Sequence, residues 1–474
     1  MTDTDILVIG AGPAGYAAAI RAAQMDQDVI IVEKDGFGGT CLNHGCIPSK
    51  TLITAADDVY SARNAATRGI HADVDIDFAQ LMQWKERVVR RLTKGVEKLC
   101  EANGVTRIEG RAEFVDAHRA KIDIPDSSNS FLEFEHAIIA TGSRPTQIPG
   151  FSGTDEPILD SKQALDLDTL PQKLVIIGAG YIGMELSMAF AKLGVDVTVV
   201  EMLDRPLPNY ADDLVRPVER SANEIGVEFE FGRIASEWSW NDDGSITVQT
   251  EPAGAVVSES NDGVHELVAN KVLVAVGREP ISDTVNLNTV DIRLNDQGFI
   301  ETDEQLRTST DHIFAVGDVA GEPLLAHAGS EEGTFAAEII AGKKSMRTEY
   351  SIPSVVFTDP EIATVGLTED EAKEQGKDPI VGQFSMRASG RALTTNSTSG
   401  FVRIVADRNT GTIYGGQIVG AEASEMVAEI GVAVTNELSV SDIVSTVHAH
   451  PTLSEGTMEA TADVLGRAIH TTNR

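Results

Sequence analysis

The chain has few cysteines and no long apolar run, and each scarcity excludes a class of protein. Three cysteines in 474 residues are too few for the disulfide framework of a small secreted protein. No apolar run approaches the roughly 20 residues of a membrane-spanning helix. The first residues, MTDTDILVIGAG, lack the basic start of a signal peptide and predict a strand instead. The sequence therefore predicts a cytoplasmic protein with no membrane segment.

Basic residues are also scarce relative to acidic ones. Asp and Glu total 73 against 38 Lys and Arg, which gives a formal net charge of −35, and the acid is spread along the whole chain. Such a surface repels nucleic acids and anionic membranes, so neither is an expected partner. It also repels itself unless salt screens it, and the Debye length is about 3 Å at 1 M salt. The composition resembles that of a halophile protein, and a merely acidic protein from an ordinary organism is the alternative.

What the sequence does contain is an internal repeat. A short apolar strand, ILVIG, leads into GAGPAG, an apolar helical stretch and a strand VIIV that ends at Glu33. Later, LVIIG leads into GAGYIG, a helical stretch and a strand VTVV that ends at Glu201. The spacing from Gly10 to Glu33 equals the spacing from Gly178 to Glu201. This repeat is the main organising feature of the chain.

Each copy has the glycine pattern of a dinucleotide-binding turn. The glycines are Gly10, Gly12 and Gly15 in the first copy and Gly178, Gly180 and Gly183 in the second. They let the backbone approach a pyrophosphate, the helix N-terminus attracts its charge, and the acid binds a ribose hydroxyl. One copy alone could be an ordinary turn, but two copies with the same spacing predict two dinucleotide sites. Glu201 favours NAD over NADP because a carboxylate there would repel a 2′-phosphate; the alternative is a solvated charge.

Two of the three cysteines lie together in GGTCLNHGCIPSK, and three kinds of site remain possible for them. Two cysteines do not complete a tetrahedral zinc set, so no metal site is predicted. A structural disulfide would contribute little in a reducing compartment. A redox pair needs a distorted backbone, because on a regular helix the Cα atoms of Cys41 and Cys46 would exceed the roughly 7 Å bridging limit. Gly45 and Pro48 favour such a distortion.

The positions of three further segments suggest how these parts work together. The cysteine pair follows the first repeat, so we expect FAD in the first site and NAD in the second. TSTDHIFAVGD would offer Asp318 to the ribityl hydroxyls of the flavin. HAHPTLSE supplies His450, a base suited to proton transfer near neutral pH, and Glu455 to fix its tautomer. A histidine beside a proline is as often structural, and the residues alone leave that open.

Two more segments echo each other. AIIATGSRP and VLVAVGREP each end in a glycine turn with a basic residue and a proline, and we expect each to close or leave a nucleotide-binding unit. NDDGS and PAGAVVSESNDG predict turns and an exposed loop between residues 241 and 266. After about residue 350 strands are followed by helices, which is typical of an α+β domain.

Taken together, the glycine repeats, the cysteine segment, ATG, FAVGD and HAHPTLSE resemble the pyridine nucleotide–disulfide oxidoreductases, over residues 5 to about 466. The resemblance implies an α/β fold with two Rossmann-like dinucleotide-binding domains and a C-terminal α+β dimerisation domain. The implied domains are 1–148 (FAD-binding), 149–275 (NAD-binding), 276–347 (central, completing the FAD site) and 348–474 (interface).

The implied activity is the oxidation of protein-bound dihydrolipoamide to lipoamide with reduction of NAD⁺, through a redox-active disulfide and FAD in a homodimer. The implied partners are lipoyl domains of 2-oxoacid dehydrogenase complexes or the glycine cleavage carrier protein. Three rivals stay open: a glutathione-type reductase, which would use NADPH, a mercuric or large thioredoxin reductase, and a flavin-loaded redox sensor or binding subunit without turnover. Of these, mercuric and large thioredoxin reductases need C-terminal cysteines, and no cysteine follows Cys100.

The resemblance also assigns roles to single residues. Cys46 would be the charge-transfer thiolate and Cys41 the interchange thiol, while His450 with Glu455 would be the acid/base for the thiols of the other subunit. Lys50 would lie by flavin N5 and pair with Glu185. The remaining matched positions are Tyr181 beside the nicotinamide, Ala112, Thr141, Asp318 and Ala326 at FAD, and Ile234 and Gly277 at NAD.

Overall fold

A computed structural model describes residues 2–125, 130–152, 156–254, 263–344 and 351–471. The chain divides into two units. The first unit is Met1–Pro171 with Leu273–Thr348, and the second is Gln172–Val272 with Glu349–Arg474. The four domain boundaries expected from the sequence stay a prediction, and the boundary near residue 348 lies outside the described residues.

The first repeat begins the chain. The elements up to residue 171 are β1 (Thr2–Ile9), α1 (Pro13–Ala23), β2 (Val29–Glu33), α2 (Gly39–His44), α3 (Cys46–Arg63), α4 (Phe78–Ala102), β3 (Thr106–Glu109), β4 (Arg111–Asp116), β5 (Arg119–Asp123), β6 (Ser130–Ile139), β7 (Ser143–Pro145), β8 (Ile158–Leu159) and α5 (Ser161–Leu165). Strand, glycine turn, helix and strand follow in the predicted order. Cys100, predicted as a small core residue, is fully buried in α4.

The second repeat and the segments after it continue the chain. Up to residue 348 the elements are β9 (Lys173–Ile177), α6 (Tyr181–Leu193), β10 (Asp196–Glu201), α7 (Asp212–Ile225), β11 (Val227–Phe231), β12 (Arg233–Trp240), β13 (Ile246–Pro252), β14 (His265–Ala269), β15 (Lys271–Val274), β16 (Arg278–Pro280), β17 (Ile313–Ala315) and α8 (Ala326–Ile340). The NDDGS turn joins β12 to β13 as predicted. Of the predicted loop after β13, residues 255–262 lie outside the described part of the chain.

The C-terminal segment is α+β, as predicted. Its elements are β18 (Ser354–Val356), β19 (Glu361–Gly366), α9 (Glu369–Glu374), β20 (Pro379–Ser385), α10 (Gly390–Thr395), β21 (Phe401–Asp407), β22 (Ile413–Gly420), α11 (Ala423–Thr435), α12 (Val440–Ser445) and α13 (Glu455–Val464). The strands form an antiparallel sheet in the order β18-β19-β22-β21-β20. Its core includes apolar side chains from α11 and α13.

The first unit is built on a mixed sheet in the order β3-β2-β1-β6-β5-β4, with β17 against β6. The pairs β1–β2, β1–β6, β2–β3 and β6–β17 are parallel. All five residues of β2 are buried, which is why this strand is apolar without alternation. The carboxyl ends of β1, β2 and β17 therefore meet at one edge, where the first glycine turn begins.

In the second unit β10 lies between β9 and β11 and is parallel to both. β12, β13 and β14 form a separate antiparallel sheet. The strand–helix–strand of the first repeat thus recurs here, and the predicted fold class is confirmed.

Candidate active site

The two glycine turns have nearly the same backbone geometry. The φ angle is +101° at Gly10 and +102° at Gly178, in the left-handed region that favours glycine. A Cβ on Gly15 would lie 1.9 Å from the carbonyl oxygen of Gly10, and one on Gly183 would lie 2.0 Å from that of Gly178. Any larger residue at the third glycine would push the helix away from the turn, so the spacing of these glycines has a steric cause.

The middle glycine of each turn has a different reason to be glycine. Gly12 precedes α1 and Gly180 precedes α6, and both have φ angles that any residue adopts, −67° and −69°. A Cβ on Gly180 would meet no atom within 4 Å, and one on Gly12 would meet only the Cα of Gly39, at 3.9 Å. The protein itself leaves this space open at the helix N-terminus, where a pyrophosphate binds. The residues present therefore fit two dinucleotides.

A buried glutamate ends the second strand of each repeat. Oε2 of Glu33 accepts a hydrogen bond from the N–H of Ala11 at 2.6 Å, and Oε2 of Glu201 accepts one from the N–H of Ala179 at 2.7 Å. The two residues are 8% and 7% exposed. Each carboxylate is thus held against its glycine turn, where it can accept a hydrogen bond from a ribose hydroxyl.

The cysteine segment has a break in its helix. α2 ends at His44, Gly45 has φ −138° and ψ −105°, and α3 begins at Cys46. The predicted distortion is therefore confirmed, and Pro48 lies in the first turn of α3. Cys41 and Cys46 are free thiols joined by a hydrogen bond. The pair is close enough for thiol–disulfide chemistry.

The surroundings of the two thiols differ. The hydrogen bond to Cys46, followed by burial, raises the pKa of the Cys41 thiol; Lys50 opposes this rise and Asp318 adds to it. Cys46 is the first residue of an 18-residue helix, and the partial positive charge of a helix N-terminus favours a thiolate. These surroundings favour keeping the proton of the reduced pair on Cys41, and the thiolate role of Cys46 stays a prediction.

Asp318 follows β17 and is held by two residues that the sequence did not single out. Its Oδ2 accepts a hydrogen bond from Oγ of Ser143 at 2.5 Å. Nε of Arg278 donates to the same Oγ at 2.7 Å. Ser143 and Arg278 are far apart in sequence, so no local pattern indicates that they interact. The sequence shows only that their two segments, AIIATGSRP and VLVAVGREP, are similar.

The other predicted cofactor contacts are distributed over both units. Ala112 is buried in β4, and Ala326 is the first residue of α8. Oγ1 of Thr141 donates a hydrogen bond to the carbonyl of Ile281 at 2.6 Å, and Gly277 has a φ angle of +127°. Ile234 lies on β12 and is 38% exposed. Their roles at FAD and NAD stay predictions.

The predicted Lys50–Glu185 ion pair would join residues of different units and also stays a prediction. Lys50 lies one turn after Cys46 in α3. Glu185 is buried in α6, and its Oε1 accepts a hydrogen bond from the N–H of Phe357 at 2.9 Å. Tyr181 is the first residue of the same helix and is 43% exposed.

His450 and Glu455 form the predicted histidine–carboxylate pair. Nδ1 of His450 is 2.9 Å from Oε1 of Glu455, and the N–H of Thr452 donates to Oε2 at 2.9 Å. Burial alone would raise the pKa of Glu455, but the hydrogen bonds from Thr452 and His450 outweigh it and the pKa falls below its ordinary value. The His450 side chain is 78% exposed. A carboxylate on Nδ1 leaves Nε2 to exchange a proton with a substrate.

The sequence did not predict two further histidine–glutamate pairs near this one. Nε2 of His448 lies 2.7 Å from Oε1 of Glu429, and Nδ1 of His470 lies 2.6 Å from Oε1 of Glu459. Glu459 is 2% exposed and lies one turn after Glu455 on α13. The only sign of Glu459 in the sequence was its position four residues after Glu455, which places both acids on one face of the helix. An acid at such a position is usually solvated, so nothing in the sequence indicated its pairing with His470.

Among the described residues, no three histidine, cysteine, aspartate or glutamate side chains are grouped so that they could hold a metal ion. Within the same ranges, no helix combines the length and the apolar character needed to cross a bilayer.

Comparison with known proteins gives matches over nearly the whole chain. A family model described as pyridine nucleotide-disulphide oxidoreductase matches residues 4–333, and a model of the dimerisation domain of the same family matches residues 352–461. The dihydrolipoyl dehydrogenase of Halobacterium salinarum is 53% identical over 100% of this chain and 98% of its own length. That of Haloferax volcanii is 52% identical with the same coverage, and that of Geobacillus stearothermophilus is 44% identical over 99% and 97%. The halophilic-type composition agrees with the first two relatives, which come from halophilic archaea.

Solved structures of similar proteins agree with the fold. LpdA from Mycobacterium tuberculosis has a TM-score of 0.89 at 30% identity, over 97% of this chain and 99% of that one. The HOCl-induced flavoprotein disulfide reductase RclA from Escherichia coli has a TM-score of 0.84 at 26% identity, with the same coverage.

Proposed function

Because the chain belongs to the pyridine nucleotide-disulphide oxidoreductase family, we propose that it oxidises protein-bound dihydrolipoamide to lipoamide and reduces NAD⁺ to NADH. The observation that carries this proposal is the hydrogen-bonded pair Cys41 and Cys46, in the same unit as the first dinucleotide turn. The choice of substrate is supported by relatives named dihydrolipoyl dehydrogenase, which share about half of their residues with the whole chain.

The two dinucleotide sites take different cofactors. FAD, when bound, carries an electron pair between the cysteine pair and NAD⁺. We assign it to the turn that begins at Gly10, because this turn shares a unit with both cysteines and with Asp318. NAD is assigned to the second turn, where the buried carboxylate of Glu201 suits a free ribose 2′-hydroxyl and would repel a 2′-phosphate.

The sulfur chemistry is a thiol–disulfide exchange. One sulfur of the substrate attacks Cys41 in the oxidised pair, so that the Cys41–Cys46 bond breaks and Cys46 leaves as a thiolate. The second substrate sulfur then attacks the first, which closes the lipoamide ring and releases Cys41. His450 accepts one of the two protons that the substrate loses, and the Cys41 sulfur receives the other when it is released as a thiol. The structure supports this outcome, because the hydrogen bond between the two sulfurs keeps the remaining proton on Cys41.

The dimerisation domain makes the protein a homodimer. Within the proposal, each His450 acts on the cysteine pair of the partner subunit, and Glu455 orients the imidazole and stabilises its charged form. Residues 348–474 would form the interface, while residues 1–148 and 276–347 bind FAD and residues 149–275 bind NAD.

The proposed partners are lipoyl domains of 2-oxoacid dehydrogenase complexes or the glycine cleavage carrier protein, and the proposed compartment is the cytoplasm. A cysteine pair that must cycle between thiol and disulfide suits a compartment whose thiols are kept reduced.

A steady-state assay of the purified holoenzyme tests this function, with dihydrolipoamide or glutathione as the thiol substrate and NAD(H) or NADP(H) as the nicotinamide cofactor. We expect NADH formation from dihydrolipoamide and NAD⁺, with much slower turnover of NADP⁺. Reduction of glutathione disulfide by NADPH at a higher rate would instead identify a glutathione-type reductase. A flavin-loaded protein with no turnover of either substrate would identify a redox sensor.

A further inference from the structure

Three side chains of the first unit form a directed hydrogen-bond chain that ends on the carboxylate of Asp318. Nε of Arg278 donates to Oγ of Ser143 at 2.7 Å, and Nη2 of Arg278 donates to the carbonyl oxygen of Ser143 at 2.7 Å. Oγ of Ser143 in turn donates to Oδ2 of Asp318 at 2.5 Å. Ser143 is 4% exposed, so water does not compete freely for its hydroxyl.

The direction of this chain is fixed by chemistry. A guanidinium has donors only, so Oγ of Ser143 must accept from Arg278. A serine hydroxyl has one hydrogen, and that hydrogen must then point at Asp318, which accepts it as a carboxylate. Ser143 therefore holds Oδ2, which fixes the rotation of the carboxylate and the directions in which its remaining lone pairs can accept.

We propose that Arg278 and Ser143 are positioning residues for FAD, which fix the orientation of Asp318 so that it meets a ribityl hydroxyl. The inference rests on the proposed FAD site. Neither residue touches the flavin in this account, because Arg278 acts through Ser143 and Ser143 acts through Asp318. An aspartate without these partners would lose rotamer freedom only when FAD binds, and the affinity for FAD would fall accordingly.

The hydrogen-bond chain lies on one face of the strand pair β7 and β16, and Arg144 links the same two strands on the other face. β7 and β16 pair antiparallel, with Arg278 opposite Pro145 and Glu279 opposite Arg144. Nε of Arg144 lies 2.6 Å from Oε1 of Glu279, and both of its Nη atoms lie 3.0 Å from carboxylate oxygens of Asp283. Arg144 thus secures the same strand pair without contacting Asp318, and it supplies a matched control.

Release of FAD from the holoenzyme on dilution, followed by flavin fluorescence, tests the proposal without any dithiol substrate. We expect Ser143→Ala and Arg278→Gln each to weaken FAD binding about two- to tenfold, the usual effect of having to order one side chain on binding. Arg278→Lys, which keeps the charge but not the two-point contact, should also weaken it. Arg144→Gln should leave FAD binding unchanged even if thermal stability falls.

A double-mutant cycle separates positioning from a purely structural role. Asp318→Ala should weaken FAD binding, and Ser143→Ala added to Asp318→Ala should weaken it no further, because alanine offers the serine hydroxyl no acceptor. Fully additive effects would overturn the proposal, as would unchanged FAD binding in both single variants. Because FAD release is measured without turnover, failure here is distinguishable from failure to oxidise dihydrolipoamide.

Discussion

Replacing Gly180 with alanine adds a methyl group at the second glycine turn without straining the protein. The φ and ψ angles of Gly180, −69° and −177°, suit alanine, and the new Cβ would meet no atom within 4 Å. Alanine is a poorer residue than glycine at this position before a helix, by less than about 1 kcal/mol. We therefore expect the variant to fold with nearly unchanged stability.

The expected effect is on NAD alone. The methyl group occupies the space through which a pyrophosphate reaches the first N–H groups of α6. Losing one hydrogen bond from these groups to a charged phosphate costs about 1.5–3 kcal/mol. At about 1.4 kcal/mol per factor of ten, NAD should bind roughly 10- to 150-fold more weakly.

The first repeat supplies the matched variant. Gly12 has the same backbone geometry, and a Cβ there would lie 3.9 Å from the nearest atom, the Cα of Gly39. Gly12→Ala should therefore release FAD and leave NAD binding intact. Gly183→Ala is the contrasting case, because its Cβ would lie 2.0 Å from the carbonyl oxygen of Gly178 and should lower the unfolding temperature.

The measurements are NAD affinity by titration, FAD content from the flavin absorbance, and the unfolding temperature of each variant. Loss of FAD from Gly180→Ala with normal NAD affinity would show that the two sites are assigned in reverse. Unchanged affinity for both cofactors in both variants would refute the reasoning that these turns hold pyrophosphates.

Four further outcomes follow from the site and the composition. Cys41→Ser should keep FAD and a charge-transfer absorbance from Cys46 but abolish dihydrolipoamide oxidation, and normal turnover would refute the assignment of the thiols. Glu201→Arg should shift the ratio of kcat/KM values toward NADP⁺; an unchanged ratio would mean that this carboxylate does not contact the ribose. Because the folded protein lowers the pKa of Glu455, the hydrogen bonds from Thr452 and His450 to its carboxylate stabilise the fold above the unfolded pKa, about 4.3, and that contribution is lost as the pH falls through the folded value. Glu455→Gln should therefore lower the free energy of unfolding more at pH 7 than at pH 3, and an equal loss at both pH values would contradict this. With a net charge of −35, the protein should unfold at a lower temperature in dilute buffer than in 1 M salt, and an unchanged unfolding temperature would remove the argument for salt adaptation.

The dinucleotide turns were predictable from the sequence because their requirements are local. The left-handed φ at Gly10, the close approach at Gly15 and the carboxylate of Glu33 all belong to one strand–helix–strand segment. The second copy repeats them with the same hydrogen bond between Glu201 and the glycine turn. Steric and hydrogen-bonding rules that act within one segment leave their pattern in the spacing of residues.

The cysteine pair was only partly predictable. The break at Gly45 follows from the short spacing of Cys41 and Cys46, since a regular helix would hold the thiols apart. The difference between the two thiols does not follow from the spacing. The raised pKa of Cys41 depends first on the hydrogen bond to Cys46, then on burial, and to a smaller extent on the charge of Asp318, a residue that the fold brings close from a distant part of the chain.

The hydrogen-bond chain at Asp318 was not predictable, although its two strands were visible as echoing segments. The polypeptide leaves the first unit after β7 and returns to it before β16. The two segments pair antiparallel, so that Ser143 lies opposite Pro280 and Arg278 lies opposite Pro145. The sequence shows the two segments but not their register, and a shift of one residue would turn Arg278 to the opposite face. The register therefore places Arg278 against Ser143 and Arg144 against Glu279. It depends on how the polypeptide returns to the first unit, which neither segment shows by itself.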